Sequence, residues 1–253
     1  MVTPITHENG MPNWVDVNVE TEEQQHDLRA FLSTIFDWTW DTEGEEMGFY
    51  SIASYNGSPV CGLGRGPGGT GEWTTYFKTT TIDETAAKAV EFGATVVMPV
   101  MKITDVGSMA LLADPTGARF GLWQPDQFHG FDIAYEANAL GWFDHGSPEP
   151  EVAGSFYTAL NGHPVMTPGD DMRVLHNGDQ WFASISNNGG DGEPRWNPIF
   201  VVDSLERIHE IVPRHGGTIL AKEIPVPGSA ICIFTEPVNG SVMTVMRGGH
   251  EAT

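Results

Sequence analysis

The chain is short of basic residues, of cysteine and of long apolar runs, and each shortage removes a class of function. Only 12 of its 253 residues are Lys or Arg, against 34 Asp or Glu, for a formal net charge of −22. A surface of that sign repels nucleic acid and anionic lipid, so neither is expected as a partner. It reads as a solvated surface, and the clearest acidic run, Asp41 to Glu46, as an exposed loop. The two cysteines, Cys61 and Cys232, lie far apart in strand-like runs, and there is no Cys-x-x-Cys pair. A zinc ribbon and a thioredoxin-like centre are thereby excluded, leaving buried free thiols in a reducing compartment. No apolar stretch approaches the roughly 20 residues that span a bilayer. Met1 to Gly10 has neither the basic start nor the apolar core of a secretory signal, so a cytoplasmic location is the expectation.

What is present is a globular composition, 40% hydrophobic and 18% charged, in a chain long enough for one large domain or two ordinary ones. Four helix signals recur. Thr21 and Gln24 form a capping box ahead of Leu28, Phe31, Leu32, Ile35 and Phe36. Thr81 and Glu84 repeat it before Ala86, Ala89 and Val90, with Gly93 as terminator. Ser147-Pro148 opens the third, with Val152, Phe156 and Leu160 facing inward and Gly162 ending it. Asp203 or Ser204 caps the fourth, which buries Leu205, Ile208, Ile211 and Val212. One strand-like run precedes each helix and about three follow, so the order strand, helix, strand, strand, strand is given four times.

A longer repeat overlies this one. "NWVDV" (13–17) is matched by "GWFDH" (141–145), "RAFLSTIFDW" (29–38) by "GSFYTALNGH" (154–163), and "EWTTYF" (72–77) by "RWNPIF" (195–200). "ADPTGARFGLWQ" (113–124) has a looser echo in "TEPVNGSVMTVM" (235–246). The copies lie half a chain apart, so two homologous halves are expected, residues 1–127 and 128–253, joined near Gln127 to Asn138.

These residues resemble the vicinal oxygen chelate superfamily, which contains glyoxalase I, bleomycin-resistance proteins and extradiol dioxygenases. More narrowly, "MPNWVDV", "DPTGARFGLWQ" and "MRVL" (172–175) are similar to a two-domain actinobacterial subfamily of 27 kDa antigen-like, glyoxalase-related proteins. The resemblance implies an α+β fold with tandem glyoxalase-like domains, in which four βαβββ modules form two curved eight-stranded sheets, each around a cavity. In metal-dependent members it implies inward ligands from the first, fifth and eighth strands of each half, sometimes joined by the fourth, around a divalent ion that chelates two substrate oxygens.

Carried onto this chain, those positions lack donors. The glutamate expected four residues past the turn glycine falls on Gly121 in the first half and Thr244 in the second. The fifth-strand histidine falls on Thr74 and Asn197, and the first-strand ligand near Trp14 and Trp142, with Asp16 and Asp144 two residues on and on the same face. The fourth-strand regions, "PVCGLGRG" and "WFASISNN", offer no His, Asp or Glu. A transition metal needs about three good donors, so neither a metal nor another cofactor is expected. The histidines offer little more. His7, His129 and His250 read as solvated, His26 and His209 as helix-surface residues, and His145 as facing away from Asp144; His163, His176 and His215 read as turn residues without a second ligand. "GRGPGG" (64–69) matches a dinucleotide fingerprint only formally, since it precedes a strand and reads as a connector.

Aromatic cups remain, lined by Trp14, Asp16, Trp73 and Trp123 in one half and by Trp142, Asp144, Trp196 and Asn197 in the other. Arg65, Arg119 or Arg247 is available to pair with a carboxylate. The expectation is a small-molecule ligand bound without a metal, by stacking and by a partly buried carboxylate. Two alternatives stay open: a metal-dependent lyase or dioxygenase with atypical ligands, and metal-free acid–base catalysis by Asp16 or Asp144. Four modules in one chain complete both cavities internally, so a monomer is the simpler expectation and a dimer the other.

Overall fold

The computed structural model describes residues 7–167, 173–187 and 192–248; His250 and Met172 of the "MRVL" segment lie outside them. The first half holds β1 (Pro12–Val19), α1 (Glu22–Ile35), β2 (Thr39–Thr42), β3 (Ser51–Tyr55), β4 (Ser58–Arg65), β5 (Trp73–Lys78), α2 (Ile82–Glu91), β6 (Thr95–Ile103), β7 (Gly107–Ala113) and β8 (Arg119–Pro125). The second repeats the order with β9 (Leu140–Ser147), α3 (Pro150–Asn161), β10 (Val165–Met166), β11 (Arg173–Asn177), β12 (Gln180–Asn187), β13 (Arg195–Val202), α4 (Leu205–Arg214), β14 (Thr218–Val226), β15 (Ser229–Thr235) and β16 (Val242–Arg247). Each half folds as one eight-stranded sheet, ordered β2-β3-β4-β1-β5-β8-β7-β6 and β10-β11-β12-β9-β13-β16-β15-β14. The first strands of the two modules pair antiparallel at the centre, and each pairs parallel with the last strand of its own module. The two sheets therefore have one topology and one register.

Local chemistry explains most element ends. Thr21 and Gln24 do form the capping box of α1, and Ser204 caps α4 by accepting from the Arg207 amide. Two expected starts differ. The Thr81 side chain makes no cap hydrogen bond to α2; the Ile82 amide is met instead by Gln124 Oε1 at 2.8 Å, from β8. α3 begins at Pro150 rather than at Ser147-Pro148, because Ser147 Oγ accepts from the Glu149 amide and holds a turn there. Along α3, Val152 is exposed, and Ala153 and Tyr157 lie on the buried face beside Phe156 and Leu160. Both cysteines are free and buried.

The halves are joined through the faces turned away from the cups. Trp73 packs on Phe200 at 5.1 Å between ring centres, and the corresponding Trp196 packs on Phe77 at 5.2 Å. Neither α1 nor α3 has a basic residue in its last turn. Arg207 of α4 donates to the Thr34 and Ile35 carbonyls at the end of α1, and Lys88 of α2 donates to Leu160 O near the end of α3. Each half thus neutralises the negative end of the other half's first helix. Among the described residues, no helix is long and apolar enough to cross a membrane.

The turn Asp114-Pro115-Thr116-Gly117 carries the most connected side chain of this interface. Asp114 Oδ1 accepts from the Thr116 amide and hydroxyl and from the Ala118 amide, at 2.7–3.1 Å. Its Oδ2 accepts from His145 Nε2 at 2.8 Å and Tyr157 Oη at 3.0 Å, both from the second half. Burial pushes this carboxyl up, but hydrogen bonds from His145, Thr116 and Tyr157 and the charge of His145 outweigh it and leave it below its ordinary value. A depressed carboxyl stabilises the fold above its unfolded value and loses that contribution as the pH falls through its folded one. Asp114→Ala is expected to cost about 3–5 kcal/mol in urea unfolding at neutral pH, with the deficit narrowing in acid.

Candidate functional site

In the first half the curved sheet encloses a cavity of about 920 Å³. Its lining includes the aromatic residues Trp14, Tyr50, Tyr76, Trp123 and Phe128 and the flexible apolar residues Met47, Met98, Met101, Met109 and Leu111, with Met109 directly beside Trp123. Met98 and Met101 on the edge strand β6, 36% and 42% exposed, line this space. Thr104 Oγ1 approaches Met47 Sδ at 3.5 Å, so the segment between β2 and β3 reaches the β6–β7 turn across the mouth. Residues 66–70 of the glycine-rich connector form part of the rim.

Asp16 stands on the floor, 5% exposed. Its Oδ2 accepts from Tyr50 Oη and Tyr76 Oη, both at 3.1 Å, and its Oδ1 from Asn18 Nδ2 at 3.2 Å. Trp14 Nε1 donates to Tyr50 Oη at 2.9 Å, giving an indole–phenol–carboxylate relay. Burial pushes the Asp16 carboxyl up to about 7, against the smaller downward pull of its three donors. The same burial, with the Asp16 charge added, holds both phenols well above their ordinary value. They stay protonated, as donors, throughout the range where Asp16 titrates.

The donor positions that the resemblance assigns to a divalent metal do not fit one. Tyr76 on β5 lies beside Gly121 on β8, and a Cβ at Gly121 would overlap the Tyr76 ring. The position of the metal-binding glutamate is therefore occupied by a phenol from the neighbouring strand. On the other side of Asp16, a Cβ at Gly62 of β4 would overlap Tyr50, which arrives from just before β3. Thr74 faces the cavity in the fifth-strand position and brings only a hydroxyl. Asp16 is left as one carboxylate among neutral donors.

The second half repeats the relay with different residues. Trp142 Nε1 donates to Ser184 Oγ at 2.9 Å, and Ser184 and Ser186 donate to the two oxygens of Asp144. Burial raises the Asp144 carboxyl, opposed by both serines and by the charge of His145. Asn197 donates to the Asp144 carbonyl at 3.4 Å and accepts from Arg195 Nε. Ile199 pairs with Thr244 where Tyr76 pairs with Gly121, so this half has no phenol in that place.

The structure thus brings Trp14, Asp16, Trp73 and Trp123 to one cavity, Trp73 from the opposite face of β5 at the rim. Trp142, Asp144 and Asn197 are also together. Trp196 is not with them: it is fully buried between the halves, where its Nε1 donates to Tyr157 Oη at 2.7 Å and its ring meets His145. His145 does face away from Asp144, and its bond to Asp114 makes it part of the interface. His7 differs from expectation: its ring reaches the Pro12 and Phe131 carbonyls, and burial lowers its pKa. The sequence reading missed Tyr50 and Tyr76. Glycine at positions 62 and 121 on the inward face was their signal, since it marks space filled from elsewhere.

Comparison with known proteins agrees with this architecture. The chain is 30% identical over 254 aligned positions to CFP32 of Mycobacterium bovis, named as a candidate glyoxylase, covering 95% of this chain and 96% of that one. It is 26% identical over 266 positions to the anthracycline biosynthesis protein DnrV of Streptomyces peucetius, covering 96% of each. The Mn(II)-bound glyoxalase of Novosphingobium aromaticivorans superposes with a TM-score of 0.63 and 18% identity over 96% of this chain and 83% of that one. A catechol 2,3-dioxygenase does so with a TM-score of 0.63 and 13% identity over 97% and 90%. No family model matches the chain. The chain belongs to the vicinal oxygen chelate superfamily of glyoxalases and extradiol dioxygenases.

Two outcomes test the cluster. A raised carboxyl contributes stability that is present below its unfolded value, 3.8, and lost as the pH rises through about 7. Asp16→Asn, which mimics the protonated form, escapes that loss. Its stability relative to the parent is expected to rise between pH 5 and pH 8 by on the order of 2 kcal/mol in urea unfolding. Gly121→Ala forces the Tyr76 ring away from its place and is expected to cost about 1–3 kcal/mol.

Proposed function

We propose that the first-half cavity binds a small aromatic molecule without a metal ion, with Asp16 as its polar anchor. The observation that carries the reading is the Asp16–Tyr50–Tyr76 cluster, which stands where metal ligands would be needed and fills the space they would use. A volume of about 920 Å³ suits a ligand of two to four fused rings. The aromatic side chains supply stacking, and the methionines among them adapt their shape to the ligand. The relatives named for anthracycline biosynthesis support a fused-ring polyketide as the class of ligand.

A second reading is favoured by one observation. A carboxyl pushed up to about 7, held beside two phenols in a cavity, is poised to move a proton at neutral pH. In that case Asp16 is a metal-free general base acting on a bound aromatic substrate.

Tryptophan fluorescence titrated with an anthracycline in the presence of a chelator tests both readings. Saturable quenching at micromolar concentration, unchanged by the chelator, is expected, with Asp16→Asn weakening it about tenfold through loss of a charge-assisted hydrogen bond. Binding lost on chelation and restored by manganese or nickel would overturn the metal-free reading. Turnover abolished in Asp16→Asn at unchanged affinity would move Asp16 from anchor to base.

A further inference from the structure

The cavity is lined by two ionisable groups that are not paired with one another, the buried Asp16 on its floor and the exposed Arg119. Asp16 of β1 lies opposite Thr74 of β5 in the central ladder. β5 runs parallel to β8 with Tyr76 beside Gly121 and Lys78 beside Trp123. One two-residue step back along that register sets Thr74 beside Arg119. Asp16, Thr74 and Arg119 therefore form a row across three adjacent strands, and all three line the cavity. At the usual strand spacing the backbones of Asp16 and Arg119 are about 10 Å apart.

Arg119 is exposed, and its guanidinium has neither an ion pair nor a hydrogen bond among the described residues. The other arginine on the cavity wall is already engaged: Arg65 pairs with Glu22 at 2.9 Å and lies over the Phe49 ring at 4.4 Å. Asp16 keeps acceptor capacity as well. Of about four lone-pair sites on a carboxylate, three are taken, two on Oδ2 and one on Oδ1. Between them in this row lies the Thr74 hydroxyl.

We infer that Arg119 is a specificity-determining residue that receives one acidic oxygen of the ligand, a carboxylate or a phenolate, while Asp16 takes a hydroxyl or amine hydrogen from the far edge of the same ring system. This rests on the aromatic-binding reading above and narrows it to aromatic molecules with an acid at one end and a hydrogen-bond donor at the other. The rim carboxylates Glu43, Glu46, Glu72 and Asp105 oppose anions in general. Their repulsion is screened over about 8 Å at physiological salt, whereas a guanidinium–carboxylate contact is direct. The cavity therefore admits a single acidic group at a single place and rejects polyanions.

Calorimetric titration with two rigid probes, 6-hydroxy-2-naphthoic acid and 2-naphthol, separates this inference from the reading beneath it. At pH 8, with chelator, the parent protein is expected to bind the acid about tenfold more tightly than the naphthol, the scale of one charge-assisted hydrogen-bonded contact. Arg119→Met is expected to abolish that ratio while leaving 2-naphthol affinity within about twofold, because the side chain has no structural partner to lose. Arg119→Lys is expected to keep part of the ratio. A preference that is absent in the parent, or that survives Arg119→Met, overturns the assignment of Arg119 with aromatic binding intact. Failure of 2-naphthol to bind at all, or binding only after a metal is added, overturns the aromatic-binding reading and this inference with it.

Discussion

The Asp114 carboxylate turns the chain from β7 into β8 with one oxygen and holds His145 and Tyr157 of the second half with the other. From that turn the β7–β8 hairpin runs in continuous register, Ala113 opposite Arg119 through Gly107 opposite Pro125. The β5–β8 pairing then sets Gly121 beneath Tyr76 and Trp123 beside Lys78. In the second half, Glu236 holds the corresponding turn through the amides of Val238, Asn239 and Ser241. One acidic side chain closes the turn in both copies, but in the first half it also fastens the halves together.

The two halves show how one backbone supports different polar clusters. Each has an inward Trp, then an Asp two residues on, and each links them through a hydroxyl. In the second half that hydroxyl is Ser184, on the strand beside Asp144. In the first half the equivalent position is Gly62, and the hydroxyl comes from Tyr50, a longer side chain arriving from another segment. The exchange is reciprocal: where the neighbour is small, a phenol enters, and where the strand has its own Cβ, a short hydroxyl suffices. Ile199 with Thr244 against Tyr76 with Gly121 repeats the rule on the other side of the carboxylate.

Most of the fold was legible in the sequence because its signals are local or periodic. The Thr21 box, the Ser204 cap, the duplicated strand motifs and the acid two residues past each inward Trp are all short-range patterns. The start of α3 was misplaced because Ser147 satisfies the Glu149 amide in a turn, and a proline at 148 reads the same whether it opens a helix or precedes one. Trp196 was placed in a cup as the repeat counterpart of Trp73, but side chains alternate along a strand: it points away from Asn197, and its indole meets Tyr157 from α3. Tyr50 and Tyr76 were missed because their roles depend on glycines 12 and 45 residues away, which no local window joins.

Two buried aspartates of this chain, Asp114 and Asp16, shift in opposite directions, and the contrast follows from their partners. Asp114 has five donors within 3.1 Å, one of them an imidazole able to carry charge, and its carboxylate form is favoured despite burial. Asp16 has three neutral donors at 3.1–3.2 Å and no cation in contact, so burial prevails and its proton is held to about pH 7. A carboxylate that only had to be buried would gain from a cation beside it, and the exposed Arg119, in the same row two strands away, does not reach it. Keeping the two apart leaves both with unmet capacity facing an aromatic space. Arg119 is exposed and can be met by water, whereas the fourth acceptor site of Asp16 is buried on the cavity floor, so the cost of an unmet group falls on the carboxylate.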